Sequence, residues 1–153
     1  MGVTTREQIA VAVYNLVSAA AGSVVNLVTS SQRARPFTDV APSEMPALFM
    51  EQLPEGYERS QNKMLKLPPT RTMNFHFALY TADHQETSVV PRTQLNMMTD
   101  AIEAALAPDQ VTRGQTLGRL VAEARIDGKI EFYENVQGDG KSVALIPIAV
   151  LRP

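Results

Sequence analysis

Cysteine is missing from this chain of 153 residues. Without it the protein can form neither disulfides nor thiolate metal sites, and it has no cysteine nucleophile. A surplus of positive charge is missing too, since 14 basic residues face 16 acidic ones and the formal net charge is −2. Proteins that capture nucleic acid by its phosphates need a basic surface. The charge balance therefore argues against electrostatic capture of nucleic acid.

Long apolar runs are also missing. A membrane-spanning helix needs about 20 consecutive apolar residues, and no run in the sequence approaches that length. The first ten residues, MGVTTREQIA, lack the basic segment and apolar core of a secretory signal. We therefore expect no membrane contact, and a protein that is made in the cytoplasm of its host cell.

What is present suits one folded domain over residues 1–153, with 44% hydrophobic and 20% charged residues. In chain order the hydrophobic patterns first predict a helix that Thr4 or Thr5 caps, with Glu7 and Gln8 placed to complete a capping box, and that Gly22 ends. They then predict strands within Ser23–Phe37, Pro46–Gln52 and Arg71–Thr81, a helix from Pro91 to Leu106, and strands over Glu123–Phe132 and Ser142–Leu151. Long loops are predicted at Pro54–Pro69 and Ala82–Val90. The predicted fold is an α+β single domain, with a largely antiparallel or mixed sheet of four to five strands and two main helices packed on one face.

The stretch EARIDGKIE alternates charged and apolar residues, as a strand with one buried face does. The first face carries charges whose sign flips at each step: Glu123, Arg125, Asp127, Lys129 and Glu131. The second face is apolar and is expected to lie on the core: Ala124, Ile126, Gly128 and Ile130, with Phe132 just beyond. The first face lies either in water or against another protein.

Asp127-Gly128 is a pair typical of a hairpin turn. A hairpin there would place Ile126 and Lys129 on the same side and mix apolar with charged residues. A continuous strand containing a glycine keeps the apolar residues together, so we predict a continuous strand. The turn is predicted later, within Asn135–Lys141, where glycine, asparagine and aspartate cluster.

Groups for catalysis are few. His76 lies on a strand beside Asn74 and Tyr80, and a single strand histidine is typical of packed or surface positions rather than of a general base. His84 lies in a loop, ADHQE, whose neighbouring acids rarely build a closed metal site. Gly138–Gly140 resembles part of a phosphate-binding loop, but a strand rather than a helix follows it. We expect no catalytic set, no metal site and no cofactor, so the sequence does not indicate an enzyme.

The absence of a catalytic set favours a binding function. Exposed ion pairs are worth roughly 0–1 kcal/mol, but alternating charges block uncontrolled edge pairing and can set the register against a charged partner. Each copy of such a face presents both signs to its neighbour, which suits self-association. Arg33 and Arg35, close together in SQRARP, are further candidates for contact with a phosphate or with a partner's carboxylates.

The segments LNMMTDAIEAALAPD, TLGRLVAEARIDGKIEF and SVALIPIAVLRP, together with REQIAVAVYNLV and SSQRARPFTDVAPSEMPALFMEQ upstream, resemble the tail terminator proteins of long-tailed bacteriophages, the group that includes the lambdoid minor tail protein U. The resemblance covers most of the chain in order, apart from the two long loops.

The resemblance implies a small α+β subunit of the virion that forms a homo-hexameric ring. The ring would cap the last ring of tail-tube protein, end tube growth and offer a surface to the head connector or stopper protein. DNA would pass through the lumen without sequence-specific contact. The expected interface residues are the charged face of Glu123–Glu131, the turn residues Asn135, Asp139 and Lys141, and the pair Arg33 and Arg35.

Two alternatives stay open. A head completion or stopper protein of the phage neck shares the size class and the ring habit. A small α+β enzyme or ligand-binding domain would instead use His76, Asn74 and Tyr80 in a concave site.

Overall fold

The computed structural model describes residues 4–58, 70–83, 90–107, 115–135, 138 and 140–152. Within these ranges lie two α-helices, α1 (Arg6–Val24) and α2 (Pro91–Ala105), and one mixed sheet of six strands. The strands are β1 (Thr29–Ser31), β2 (Ala47–Glu58), β3 (Thr70–Ala82), β4 (Glu123–Ile126), β5 (Glu131–Tyr133) and β6 (Lys141–Arg152). Two short 3₁₀ helices, Phe37–Asp39 and Pro42–Glu44, join β1 to β2. The predicted α+β class is confirmed, although the sheet has more strands than expected.

The strand order is β1-β2-β3-β6-β4, and β5 pairs with β6 on the same side as β4. Only the β1–β2 pairing is parallel among these strands. Both helices pack on one face of the sheet, which we call the inner face, as predicted. Four alternate β3 residues are fully buried there and confirm the alternation seen in the sequence: Met73, Phe75, Phe77 and Leu79.

The start of α1 is set by its sequence. Thr5 accepts a hydrogen bond from the Gln8 backbone N–H at 3.2 Å, and the Gln8 side chain accepts one from the Thr5 N–H at 2.8 Å. This is the predicted capping box. The helix continues past Gly22 to Val24, so its predicted end is two residues early.

Replacing Thr5 by alanine removes one half of the capping box. We expect Thr5→Ala to lower the free energy of unfolding by about 1 kcal/mol, measured by urea denaturation. Ser18→Ala, a change at a half-buried position in the interior of α1 whose hydroxyl bonds the Asn15 carbonyl of the same helix, is the control and is expected to be neutral or slightly stabilising. Equal losses in both variants would show that the cap contributes nothing.

Two sequence predictions were wrong in extent. The strand predicted within Ser23–Phe37 is confined to Thr29–Ser31, because α1 takes its first residues and a 3₁₀ helix its last. The loop predicted from Pro54 begins later, since β2 continues to Glu58. The register shifts between Leu53 and Gly56, so Pro54 lies in a bulge, where its missing N–H costs no ladder bond.

The opposite, outer face of the sheet carries a second, smaller core beneath the segment that joins β1 to β2. Its buried members are Val40, Met45, Ala47, Phe49, Tyr80, Ala82 and Val143. This segment is tied down because the Tyr80 hydroxyl donates to the Arg35 carbonyl at 2.9 Å. The outer face is therefore partly covered by residues 35–46 and partly bare.

Candidate assembly surface

The charged face predicted from the sequence lies at one edge of the sheet. β4 and β5 both run antiparallel to β6, so they run in the same direction and no hairpin separates them. The pairing with β6 is interrupted between β4 and β5. The chain advances five residues from Ile126 to Glu131, whereas the partner strand β6 advances only three, from Ile148 to Leu145. We call residues Glu123–Glu131 the charged edge.

The charged edge thus has two more residues here than the matching part of β6. Because two is an even number, the side chains beyond the interruption still alternate between the same two faces. Outward-facing charges of the charged edge lie opposite outer-face residues of β6, in the pairs Glu123–Leu151, Arg125–Ala149 and Glu131–Leu145. Ala124, Ile126 and Ile130 contact the inner core. Gly128, with φ +114°, adopts a backbone conformation that side chains rarely allow. Phe132, predicted to reach the core, is instead 43% exposed.

The charges of the edge contact one another only loosely. Arg125 lies 3.4 Å from the Glu123 carboxylate and 4.0 Å from that of Asp127. Lys129 is exposed and makes no ion pair within the described part of the chain. Because exposed pairs contribute roughly 0–1 kcal/mol to stability, these charges are free to meet a partner at little cost to the fold.

The turn after β5 is described at Asn135, 138 and 140, and Asp139 lies outside the described residues. The Asn135 side chain accepts from the Gly140 N–H at 2.8 Å and closes the turn. Lys141 is only 9% exposed, and its ammonium lies 5.6 Å from the centre of the Phe37 ring. The structure therefore leaves Asn135 exposed at the tip and buries Lys141.

Arg33 and Arg35 lie beyond β1, which forms the other edge of the sheet. Arg35 is held by Glu44 in a bidentate pair at 3.1 and 3.2 Å, which raises the pKa of Arg35 and lowers the pKa of Glu44. The Arg33 guanidinium is exposed and has no ion-pair partner among the residues described. Apart from the buried Lys141, the predicted interface residues that the structure describes thus lie toward two opposite edges of one sheet.

A cavity of about 460 Å³ on the outer face includes His76 and Tyr80 in its lining. Asn74, their expected companion, is not in that lining and donates instead to the Pro54 carbonyl at 3.0 Å. The Tyr80 hydroxyl is already bonded to Arg35, and burial raises the pKa of Tyr80. No group of three or more metal-ligating side chains occurs among the described residues. The cavity can accept an aromatic or apolar group, but it lacks a nucleophile and base in contact.

A cluster of three arginines around Glu55 was not predicted from the sequence. Arg71 and Arg152 are register partners on β3 and β6, and Arg6 of α1 binds the Glu55 carboxylate at 2.7 and 3.1 Å. Arg152 is 6% exposed, and its Nη1 has no hydrogen-bond partner within the described ranges. The residues come from four separate elements, so no local sequence pattern could have revealed the cluster.

No protein-family model matches the chain, and no curated protein matches it. Among solved structures, a chain from one titled "Virion of native gene transfer agent (GTA) particle" is similar, with a TM-score of 0.53 and 12% sequence identity. The match covers 95% of this chain and 95% of that chain. No helix in the described ranges is long and apolar enough to cross a membrane. At this identity the likeness establishes the fold alone: the chain shares its α+β architecture with a chain of a gene transfer agent virion.

Proposed function

We propose that this chain is a structural, non-enzymatic protein of a phage-like virion, and specifically a tail terminator. Its copies form a hexameric ring that caps the tail tube, ends tube polymerisation and presents a surface to the head connector or stopper protein. The observation that carries the proposal is the fold shared over 95% of both chains with a protein of a gene transfer agent virion. The resemblance of the sequence segments to tail terminators narrows the role within the particle.

The placement of charges supports a closed ring. A ring requires two different surfaces on opposite sides of each subunit. The charged edge, with three acids and two bases, lies at one edge of the sheet, and exposed Arg33 lies beyond the other. Surplus acid on one side and an unpaired cation on the other favour a head-to-tail contact between neighbouring copies.

The acidic balance suits a lumen through which DNA moves. Six copies at −2 each would carry −12, which opposes tight binding of phosphates. The described residues contain no cluster of metal ligands that would indicate a competing catalytic role.

Electron microscopy of the purified protein tests the proposal. We expect six-membered rings in negative stain over a concentration series, matched by a rising mass in light scattering. Tail tubes built from the cognate tube protein should carry a cap at one end and stop growing when the protein is added. Binding to tail-less heads but not to tubes would replace the terminator role by a head completion or stopper role. A strict monomer that binds neither would contradict both.

A further inference from the structure

The cavity on the outer face is a preformed hole close to the Arg33 edge. Its wall is the segment Ala34–Pro36, and its floor includes Phe49, Ala78 and Leu145. The wall is fixed in place by the Tyr80–Arg35 hydrogen bond and by the bidentate Arg35–Glu44 pair. A hole that is held open in the free subunit loses little freedom when it is filled.

An exposed aromatic side chain lies at the opposite edge of the sheet. Tyr133 ends β5 and is 44% exposed. Its register partner is Val143, a member of the outer core, so Tyr133 lies on the outer face. The cavity opens on that same face. Tyr133 continues the outward positions of the charged edge, so the alternation in the sequence already places it on this face.

Charge complementarity points to a second copy of this chain as the occupant. Glu131 lies beside Tyr133 and raises its pKa, so the aromatic group carries an acid with it. The cavity side offers the exposed Arg33, which directly precedes Ala34 of the lining and has no ion-pair partner among the described residues. Arg35 in the lining is already paired with Glu44. Glu51 also lines the cavity, and its carboxylate is an acceptor for an incoming tyrosine hydroxyl.

We propose that Tyr133 of one copy inserts its ring into the cavity beside Ala34–Pro36 of the next copy. This inference rests on the proposed ring, and it names the contact that would close it. The volume of about 460 Å³ is sufficient for a tyrosine side chain. The donor and acceptor surfaces are different and lie toward opposite edges of the sheet, so the contact propagates from copy to copy and can close.

Tyr133→Ala tests the contact by removing the inserted group. Tyrosines buried at the centre of an interface are frequent hot spots, so the concentration at which half of the protein is assembled should rise by roughly tenfold or more. Tyr57→Ala is the matched control, because Tyr57 is an exposed tyrosine of β2 that lies six residues along the strand from Glu51 of the cavity lining. It should leave assembly unchanged. Sedimentation velocity measures the assembly, and circular dichroism verifies that both variants are folded.

Ala78→Phe tests the other half of the contact by filling the cavity. Alone it should weaken assembly as Tyr133→Ala does. A mixture of the two variants keeps one intact contact, between the tyrosine of the Ala78→Phe copy and the cavity of the Tyr133→Ala copy. The mixture should therefore form one-to-one dimers that cannot extend.

The possible failures are distinguishable. If the wild type forms rings and Tyr133→Ala forms them equally well, the inserted tyrosine is wrong and the ring stands. If the wild type stays monomeric at every concentration, with or without tubes, the ring and the contact are both wrong.

Discussion

Reversing both cations of the charged edge, with Arg125→Glu and Lys129→Glu in one chain, is expected to abolish ring formation while leaving the monomer folded. The edge would change from three acids and two bases to five acids, and the formal net charge of the chain from −2 to −6. Like charges placed against one another at an interface cost several kcal/mol. The surface on the Arg33 side, which the edge faces in a head-to-tail ring, carries acids as well, including Asp39 and Glu51. Arg125 and Lys129 can meet these acids in the wild type, whereas the reversed edge would repel them.

The fold should tolerate the double reversal. Arg125 is exposed and its two ion pairs are loose, at 3.4 and 4.0 Å, and Lys129 is exposed as well. Exposed pairs of this kind are worth roughly 0–1 kcal/mol each. Size-exclusion chromatography with light scattering measures assembly, and a thermal melt measures the fold.

A control must separate the effect of where the charges lie from the effect of the total net charge. Arg92→Glu with Arg119→Glu makes the same change in net charge at exposed positions outside the charged edge. It should reduce assembly far less. If the Arg125→Glu, Lys129→Glu variant still forms rings, the charged edge is merely solvated. If both double variants lose rings equally, total charge rather than the edge governs assembly.

Much of the fold could be predicted because its signals are local. The capping box at Thr5, the alternation of β3 and the proline that opens α2 each act within one turn or one strand. The choice between a hairpin and a continuous strand at Gly128 was also decided by local pattern. The structure rules out the hairpin, because β4 and β5 run in the same direction. The prediction of one continuous strand was wrong, however, since the strand is broken over residues 127–130, where Gly128 accommodates the extra residues.

The limits of the sequence reading are set by tertiary contacts. The parallel pairing of β1 with β2 and the bulge at Pro54 depend on which strands are neighbours, and a local sequence pattern does not identify the neighbours of a strand. The position of the charged edge depends on β6 lying between β3 and β4. The charged residues were predicted, but their place at the edge of the sheet opposite Arg33 was not. Lys141 was predicted at the turn tip, yet it packs over Phe37 because the outer core reaches that end of the sheet.

No local sequence pattern predicts the arginine cluster, because its members come from four separate elements. It is also the place where we expect a substitution to change the free energy of unfolding most. Glu55 is the carboxylate shared by Arg6, Arg71 and Arg152. Its hydrogen bonds with Arg6 hold the pKa of Glu55 below the usual value of 4.5, and burial and the nearby Arg71 and Arg6 lower the pKa of Arg152. One acid therefore offsets three cations, of which Arg152 is buried.

Glu55→Gln keeps the shape of the side chain and removes its charge. Breaking a buried ion pair from one side costs 3–5 kcal/mol, but Arg6 is half exposed, so we expect a loss of about 2 kcal/mol in the free energy of unfolding at pH 7. A carboxylate with a lowered folded-state pKa stabilises the fold above its unfolded pKa, and this contribution disappears as the pH falls through the folded-state pKa. The difference between wild type and Glu55→Gln should therefore shrink as the pH is lowered from 4.5.

Arg152→Met identifies which cation makes Glu55 necessary. Methionine retains much of the apolar stem and removes a guanidinium whose Nη1 has no partner in the described part of the chain, at the cost of the bond to the Thr4 carbonyl. We expect this change to be nearly neutral, and the cost of Glu55→Gln to fall to about 1 kcal/mol in its presence, because fewer cations remain uncompensated. Urea denaturation of the four proteins in the double-mutant cycle measures the coupling. If Glu55→Gln costs the same in both backgrounds, Glu55 acts only through its ion pair with Arg6, and Arg152 is stabilised by packing and by its bond to the Thr4 carbonyl. A cost that does not change with pH would show that the charge of Glu55 contributes nothing.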